Sequence, residues 1–293
     1  MAGYWSYRMA SAIGRHLPLR LAYWVGLRLA DFYFFFVGSA RRAVLANLAQ
    51  LHAWRGIQPA RPTLRGLARK TFQFYGKYLV DFFRYTRIDP TLINKRVSLE
   101  HPEYLKDAFA EGRGVIIVTA HLGNWELGGA VLTAMGYPVH AVVAPERKAR
   151  VEHLLHEQRK ARGLQLEVIG QSVRNLIRIL RRGEVVALLT DRDFSGEHAT
   201  LPFFDKPVHL PRGAAWLSTY TGAPILPLFL LRQPDDTFLL RAHPPIRPSV
   251  ESPLEHLVLA VRDVLQREIS ENPCQWFVFH EFWKTDAELR HAG

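Results

Sequence analysis

Over the first ninety residues the apolar positions recur every three to four. Leu17, Leu21, Trp24, Leu27 and Phe34 form one series; Leu64, Leu67, Phe72, Tyr75, Leu79 and Phe82 form a second. That period predicts helices with one apolar face. A Pro-containing joint at 58–62 separates them. From about Val97 the rhythm changes. Short apolar runs at 115–119, 139–143, 166–169, 185–190, 225–231 and 237–241 predict strands. Amphipathic stretches at 104–111, 126–135, 148–162, 173–182, 213–221 and 253–271 predict helices between them. The alternation predicts an α/β fold with a mixed, largely parallel central sheet flanked by helices. The chain divides into a helical, membrane-associating region at 1–96 and an α/β part at 97–293, forming one continuous globular unit. No internal repeat is present, and the last dozen residues read as a frayed polar end.

Residues 17–37 are apolar enough to raise the question of a membrane span. Arg20, Arg28 and Asp31 interrupt the run, and a charge near a helix centre costs roughly 2.5–3.5 kcal/mol on insertion scales. The uncharged stretch 32–38 is too short to cross. The region therefore reads as lying on a membrane, with Arg15, Arg20, Arg28, Arg41 and Arg42 beside an aromatic face, as an anionic leaflet requires. A solvated face of a helix packed on its own domain is the alternative. No compact apolar core with a cleavage site marks a signal peptide.

Composition adds the nature of the partner. A formal net charge of +11, with seven Trp, ten Tyr and seventeen Phe, points to an anionic surface, an acidic carrier or nucleic acid. Nucleic acid fits worst, because the aromatics fall inside apolar helical stripes and do not alternate with Lys and Arg on one face. The single cysteine, Cys274, excludes an intrachain disulfide and has no neighbour that would make it a ligand or nucleophile. His153, His156 and Glu157 match neither known ordering of a zinc-protease helix, and no metal is expected.

The chemistry concentrates where predicted strands end. The run Val115–Thr119 leads to His121-Leu122-Gly123-Asn124-Trp125-Glu126. An imidazole delivered to the carboxyl end of a strand lies where open α/β sheets hold their chemistry. Glu126, one turn into the next helix, is placed to orient the ring. Gly123 allows a ligand close to the backbone, and Asn124 is a candidate helix cap. The bland reading is a core histidine with a carboxylate that complements the helix dipole. Thr190-Asp191-Arg192-Asp193 follows another strand end, either binding a phosphate through Arg192 or closing a loop salt bridge. Residues 201–207 read as an apolar loop leading to Pro211-Arg212-Gly213, where Arg212 stands beside a helix N-terminus able to attract an anion.

These residues, in this order, resemble the bacterial lysophospholipid acyltransferase superfamily, and within it the lipid A biosynthesis (late lauroyl/myristoyl) acyltransferases. The set comprises the basic, apolar N-terminal helix, Asn47-Leu48 after Arg41-Arg42, the His121–Glu126 block, Thr190–Asp193, and Pro202-Phe203-Phe204 through Gly213. Gln275-Trp276-Phe277-Val278-Phe279-His280 resembles the closing Trp-x-Trp-x-His pattern of that family. The resemblance implies transfer of a fatty acyl chain from an acyl carrier protein or coenzyme A thioester to a hydroxyl of a membrane glycolipid like a lipid A precursor, with another lysolipid or glycolipid acceptor as the alternative. The place implied is the cytoplasmic face of the bacterial inner membrane, with the protein peripheral or monotopic and needing no cofactor. It implies His121 as general base, Glu126 as its orienting partner, and Gly123, Asn124, Asp191, Arg192, Asp193 and Arg212 as substrate-binding residues. A backbone N–H near Gly123 is the candidate oxyanion donor. Glu281-Phe282-Trp283 stand where the family continues with basic residues, which implies a less charged acceptor. A thioesterase using the same histidine to activate water is the competing enzyme.

Overall fold

The computed structural model describes residues 2–85, 90–145, 149–170, 173–194, 196–249 and 254–283. Four helices come first: α1 (Ala2–His16), α2 (Leu19–Phe36), α3 (Gly38–Trp54) and α4 (Arg61–Arg84). Then follow α5 (Pro90–Arg96), β1 (Val97–Glu100), α6 (Pro102–Ala110), β2 (Val115–Thr119), α7 (Trp125–Ala134), β3 (Val139–Val143), α8 (Ala149–Ala161) and β4 (Gln165–Val168). The remainder is α9 (Val173–Arg181), β5 (Val185–Leu189), β6 (His198–Phe203), β7 (Lys206–Pro211), α10 (Gly213–Thr221), β8 (Ile225–Arg232), β9 (Phe238–Ala242) and α11 (Leu254–Glu271). A short turn, Pro273–Gln275, opens the final segment. From residue 284 the polar end read from the sequence lies outside the described residues.

Seven strands form one sheet in the order β1-β9-β8-β2-β5-β3-β4. Only β8 and β9 pair antiparallel; the other neighbours are parallel. The mixed, mostly parallel α/β arrangement expected from the sequence is therefore present. Strand β2 lies at the centre with every residue buried, which explains its unbroken apolar run: a parallel strand is covered on both faces. Ile116 and Val118 pack with α9, α10 and α11, while Val115 and Ile117 pack with α6 and α7. The first core also takes in Phe34, Leu48, Leu51 and Phe72 from the N-terminal helices.

One region differs from expectation, and one bears on the question of a membrane span. Residues 201–207 are not a loop but the centre of a hairpin, in which β6 pairs antiparallel with β7. Pro202 and Pro207 face each other there. Proline removes a ladder donor, yet both strands of a two-stranded ribbon are edges, so the loss is tolerated. Phe204 and Asp205 turn the hairpin with φ of 54° and 62°. At the N-terminus no single described helix is long and apolar enough to cross a membrane. Helices α2 and α3 meet at a 94° bend, and only together do they have the length and composition of a span.

Candidate active site

Register explains the site. Thr119 of β2 pairs with Leu189 of β5, and both strands run the same way. Two residues beyond each, His121 and Asp191 stand side by side. The ring Nδ1 lies 2.9 Å from Asp191 Oδ1, and the backbone N–H of His121 donates to Oδ2 at 3.1 Å. An ionised carboxylate only accepts, so Nδ1 carries the ring proton and Nε2 is left as the acceptor. Asp191 is fully buried. Burial works against its charge, but the facing imidazole and the N–H donors of His121 and Trp276 outweigh it and hold the carboxyl below its ordinary value.

This corrects the reading of Glu126. Its carboxylate does not steer the ring, because Arg159 of α8 grips it: Nη2 donates to Oε1 at 2.6 Å and Nε to Oε2 at 3.2 Å. Burial raises the cost of the Glu126 charge, yet Arg159 leads the groups that keep its carboxyl below the usual range. Asp191 likewise lies behind the histidine, buried beyond reach of a ligand, and does not line the cavity as a binding residue would.

Gly123 and Asn124 are also structural. At Gly123 φ is +64°, and a Cβ there would lie 2.2 Å from the Leu230 carbonyl oxygen, so the glycine is required by the backbone of β8, not by a ligand. Its N–H donates to the Gln275 carbonyl at 2.9 Å, and the Asn124 N–H donates to the Leu230 carbonyl at 2.7 Å. With the His121 N–H already on Asp191, the backbone N–H groups of 121, 123 and 124 are engaged, so the Gly123 N–H itself is not a free oxyanion donor. The Asn124 side chain caps α7 by accepting from Leu127 N–H at 3.1 Å.

His121 opens on a cavity of about 620 Å³ whose wall also carries Glu126, Arg159 and Arg192. Its lining is rich in aromatic rings, among them Tyr7, Tyr75, Tyr78, Phe82, Trp125, Phe277 and Phe279. Among the described lining residues there is no Ser, Thr or Cys. A second cavity of about 510 Å³ shares Val142, Ile169, Leu188, Leu189, Arg192 and Phe194 with the first. It continues between α9 and α10 past Leu176, Trp216 and Leu217 and is mostly apolar. Arg192 thus borders both spaces. Asp193 and Arg212 border only the second; Asp193 accepts from Gly196 N–H and lies 3.1 Å from His198 Nδ1, and Arg212 donates to Glu255 at 3.3 Å.

The final segment closes the site from behind. Leu122 bridges antiparallel to Trp276, the Phe277 N–H donates to the His121 carbonyl at 2.8 Å, and the Trp276 indole donates to Asp191 Oδ2 at 3.0 Å. Asn47 of α3 holds the same segment, donating to the carbonyls of Val278 and His280 at 3.2 and 2.9 Å. The sequence flagged Asn47 and the Trp276 region only as parts of a pattern. Arg159 carried no signal at all, since its partner is 33 residues away.

A histidine hydrogen-bonded to a buried carboxylate at the carboxyl end of the central strands, facing an aromatic-lined cavity that adjoins a mostly apolar one, suits acid–base chemistry on an apolar substrate. The chain belongs to the bacterial lipid A biosynthesis acyltransferases, whose family pattern matches residues 1–285. It is an O-acyltransferase. Similar proteins include the phosphatidylinositol mannoside acyltransferase of Mycobacterium tuberculosis, 24% identical over 98% of this chain and 91% of its own. The protein of that name from Mycolicibacterium smegmatis is 22% identical over 75% of this chain and 73% of its own. The lipid A biosynthesis palmitoleoyltransferase of Escherichia coli is 24% identical over 66% of this chain and 63% of its own.

Proposed function

We propose that the protein transfers a fatty acyl group from an acyl carrier protein or coenzyme A thioester to a sugar hydroxyl of a membrane glycolipid, with His121 as general base. The observation that carries this reading is the His121–Asp191 pair at the wall of the 620 Å³ cavity. Nε2 takes the hydroxyl proton as the oxygen attacks the thioester carbonyl carbon. The tetrahedral intermediate then breaks its C–S bond, and the leaving thiolate takes the proton back from the imidazolium. Asp191 stabilises that imidazolium, a contribution typical of general base catalysis at 10²–10⁴-fold. Arg159, fixed by Glu126, stabilises the oxyanion; Arg192 meets phosphate on the donor or acceptor. The apolar cavity beyond Arg192 takes the acyl chain, and the aromatic lining of the first cavity faces the sugar.

The deciding experiment incubates purified protein with an acyl thioester and glycolipid-containing vesicles and reads the lipids by mass spectrometry. The expected product is glycolipid heavier by one acyl chain. Free fatty acid with no acylated lipid would identify a thioesterase instead.

Helix α2 supplies the membrane contact in this reading, placing the enzyme peripherally or monotopically on the cytoplasmic face of the bacterial inner membrane. Its outer side exposes Trp24, Phe32, Phe35 and Phe36, the last 72% accessible, beside Arg20 and Arg28. Burying one such ring in the interface contributes about 1.5–3 kcal/mol. Phe36→Ala is expected to lower partitioning onto anionic vesicles at least tenfold in co-sedimentation, with the fold kept. Equal partitioning of the two proteins would remove α2 from the membrane face.

A further inference from the structure

The final segment does more than close the fold. Asp191 accepts three hydrogen bonds: His121 Nδ1 on Oδ1, and the His121 N–H and the Trp276 indole N–H together on Oδ2. Two of those donors come from the histidine that the carboxylate serves. The third comes from a ring 85 residues away, itself 3% exposed. Trp276 is anchored independently. Its neighbours Gln275 and Phe277 bond the backbone of Gly123 and His121, and the Gln275 side chain pairs with both backbone groups of Arg232 at 2.9 and 3.0 Å. The indole N–H is therefore held at a fixed point, unable to follow the carboxylate if it turns.

We propose that Trp276 is a positioning residue for the acyl transfer, its indole N–H pinning Asp191 so that Oδ1 stays on His121 Nδ1 and the carboxylate does not take the ring's proton. This rests on the reading of His121 as general base. The reason is elementary. A carboxylate oxygen that already accepts two N–H groups is less basic and has no free rotation about its terminal bond. Without the indole, Oδ2 keeps a single donor, the negative charge gathers toward the ring, and the imidazolium is favoured over the neutral base. The charged and titratable groups facing the pair stay as they were: Glu126 from α7, Arg159 from α8, Arg192 after β5, Tyr75 and Tyr78 from α4, and Tyr7 from α1.

The test uses the full chain with Trp276→Phe, which keeps the ring and removes the donor. Expected are a kcat about tenfold lower with KM little changed, and an acid limb of the kcat/KM profile displaced to higher pH. A tryptophan that only filled space would lower stability without moving that limb. The His121 ring-proton signal, assigned by its loss in His121→Ala, is followed by NMR and should titrate at higher pH in Trp276→Phe than in the wild type. An unmoved limb together with an unmoved titration overturns the proposal. Should Trp276→Phe fail to fold, the wild-type indole N–H resonance is followed with pH, and it must move with the midpoint of the His121 signal; an indole blind to that midpoint overturns it equally. The titrations need no turnover. Full transfer by His121→Ala would defeat the general-base reading, whereas His121-dependent transfer with an indifferent Trp276→Phe defeats this inference alone.

Discussion

Asp191→Asn is expected to lower kcat for acyl transfer by about 10³–10⁴-fold and to leave KM nearly unchanged, by the logic of a buried aspartate behind a histidine acting as general base. The amide cannot carry the charge that stabilises the imidazolium. Its NH₂ group, turned toward Nδ1, would also impose the wrong tautomer and put the proton on Nε2. Because Asp191 is fully buried, it cannot touch substrate, and that is why binding survives. His121→Ala costs at least as much. Glu126→Gln costs less, about 10²-fold, since it loosens Arg159 without disturbing the ring. Steady-state kinetics of the three purified variants decides the matter. If Glu126→Gln proved more damaging than Asp191→Asn, the ring would be steered by Glu126 in the working enzyme, and the assignment made from the geometry would fall.

The second large effect is on stability. Asp81 of α4 and Arg232 of β8 form an ion pair in which both side chains are almost completely buried. Tyr23 of α2 donates to the other Asp81 oxygen at 2.6 Å, the Arg232 guanidinium also reaches Tyr23 and Asp236, and Asn124 donates to Asp81 at 3.3 Å. The cluster thus ties the N-terminal helices to the sheet just behind the cap of α7. Asp81→Ala leaves a buried guanidinium with only the half-buried Asp236 for compensation, and is expected to reduce the unfolding free energy by about 3–5 kcal/mol in denaturant titration. The double variant Asp81→Leu/Arg232→Met should recover most of that, because it removes both charges and keeps the volume. A double variant as unstable as the single one would mean that the network contributes through its hydrogen bonds and not through charge compensation.

Much of this was legible in the sequence, for a physical reason in each case. The central strands are covered on both faces, so 115–119 and 225–231 read as unbroken apolar runs and were placed correctly. His121 stands out in the sequence because a strand end followed by a capped helix is a local pattern. The same locality points to Glu126, although the ring's hydrogen-bond partner is Asp191. Glu126 is five residues away and visible, whereas the parallel register that sets Leu189 opposite Thr119 is written nowhere in either segment. Arg159 and the indole of Trp276 belong to the same class, side chains brought in by topology across 33 and 85 residues. The hairpin at 198–211 was hidden by its prolines, which mark loops far more often than paired edges. Strand β1, four residues long and half exposed, has too little apolar content to announce itself.

The closing segment also has a consequence for biosynthesis. Chain growth completes the strands of the sheet, the last ending at Ala242, well before residues 275–277, yet those residues supply the backbone partners of His121 and Gly123 and the donor on Asp191. A nascent chain can therefore settle most of its architecture on the ribosome while still lacking a finished active centre. Competence in that reading arrives only when the tail docks, and because Trp276 and Val278 are also buried in the main core, premature stops a few codons upstream of Trp276 should cost stability as well as transfer activity.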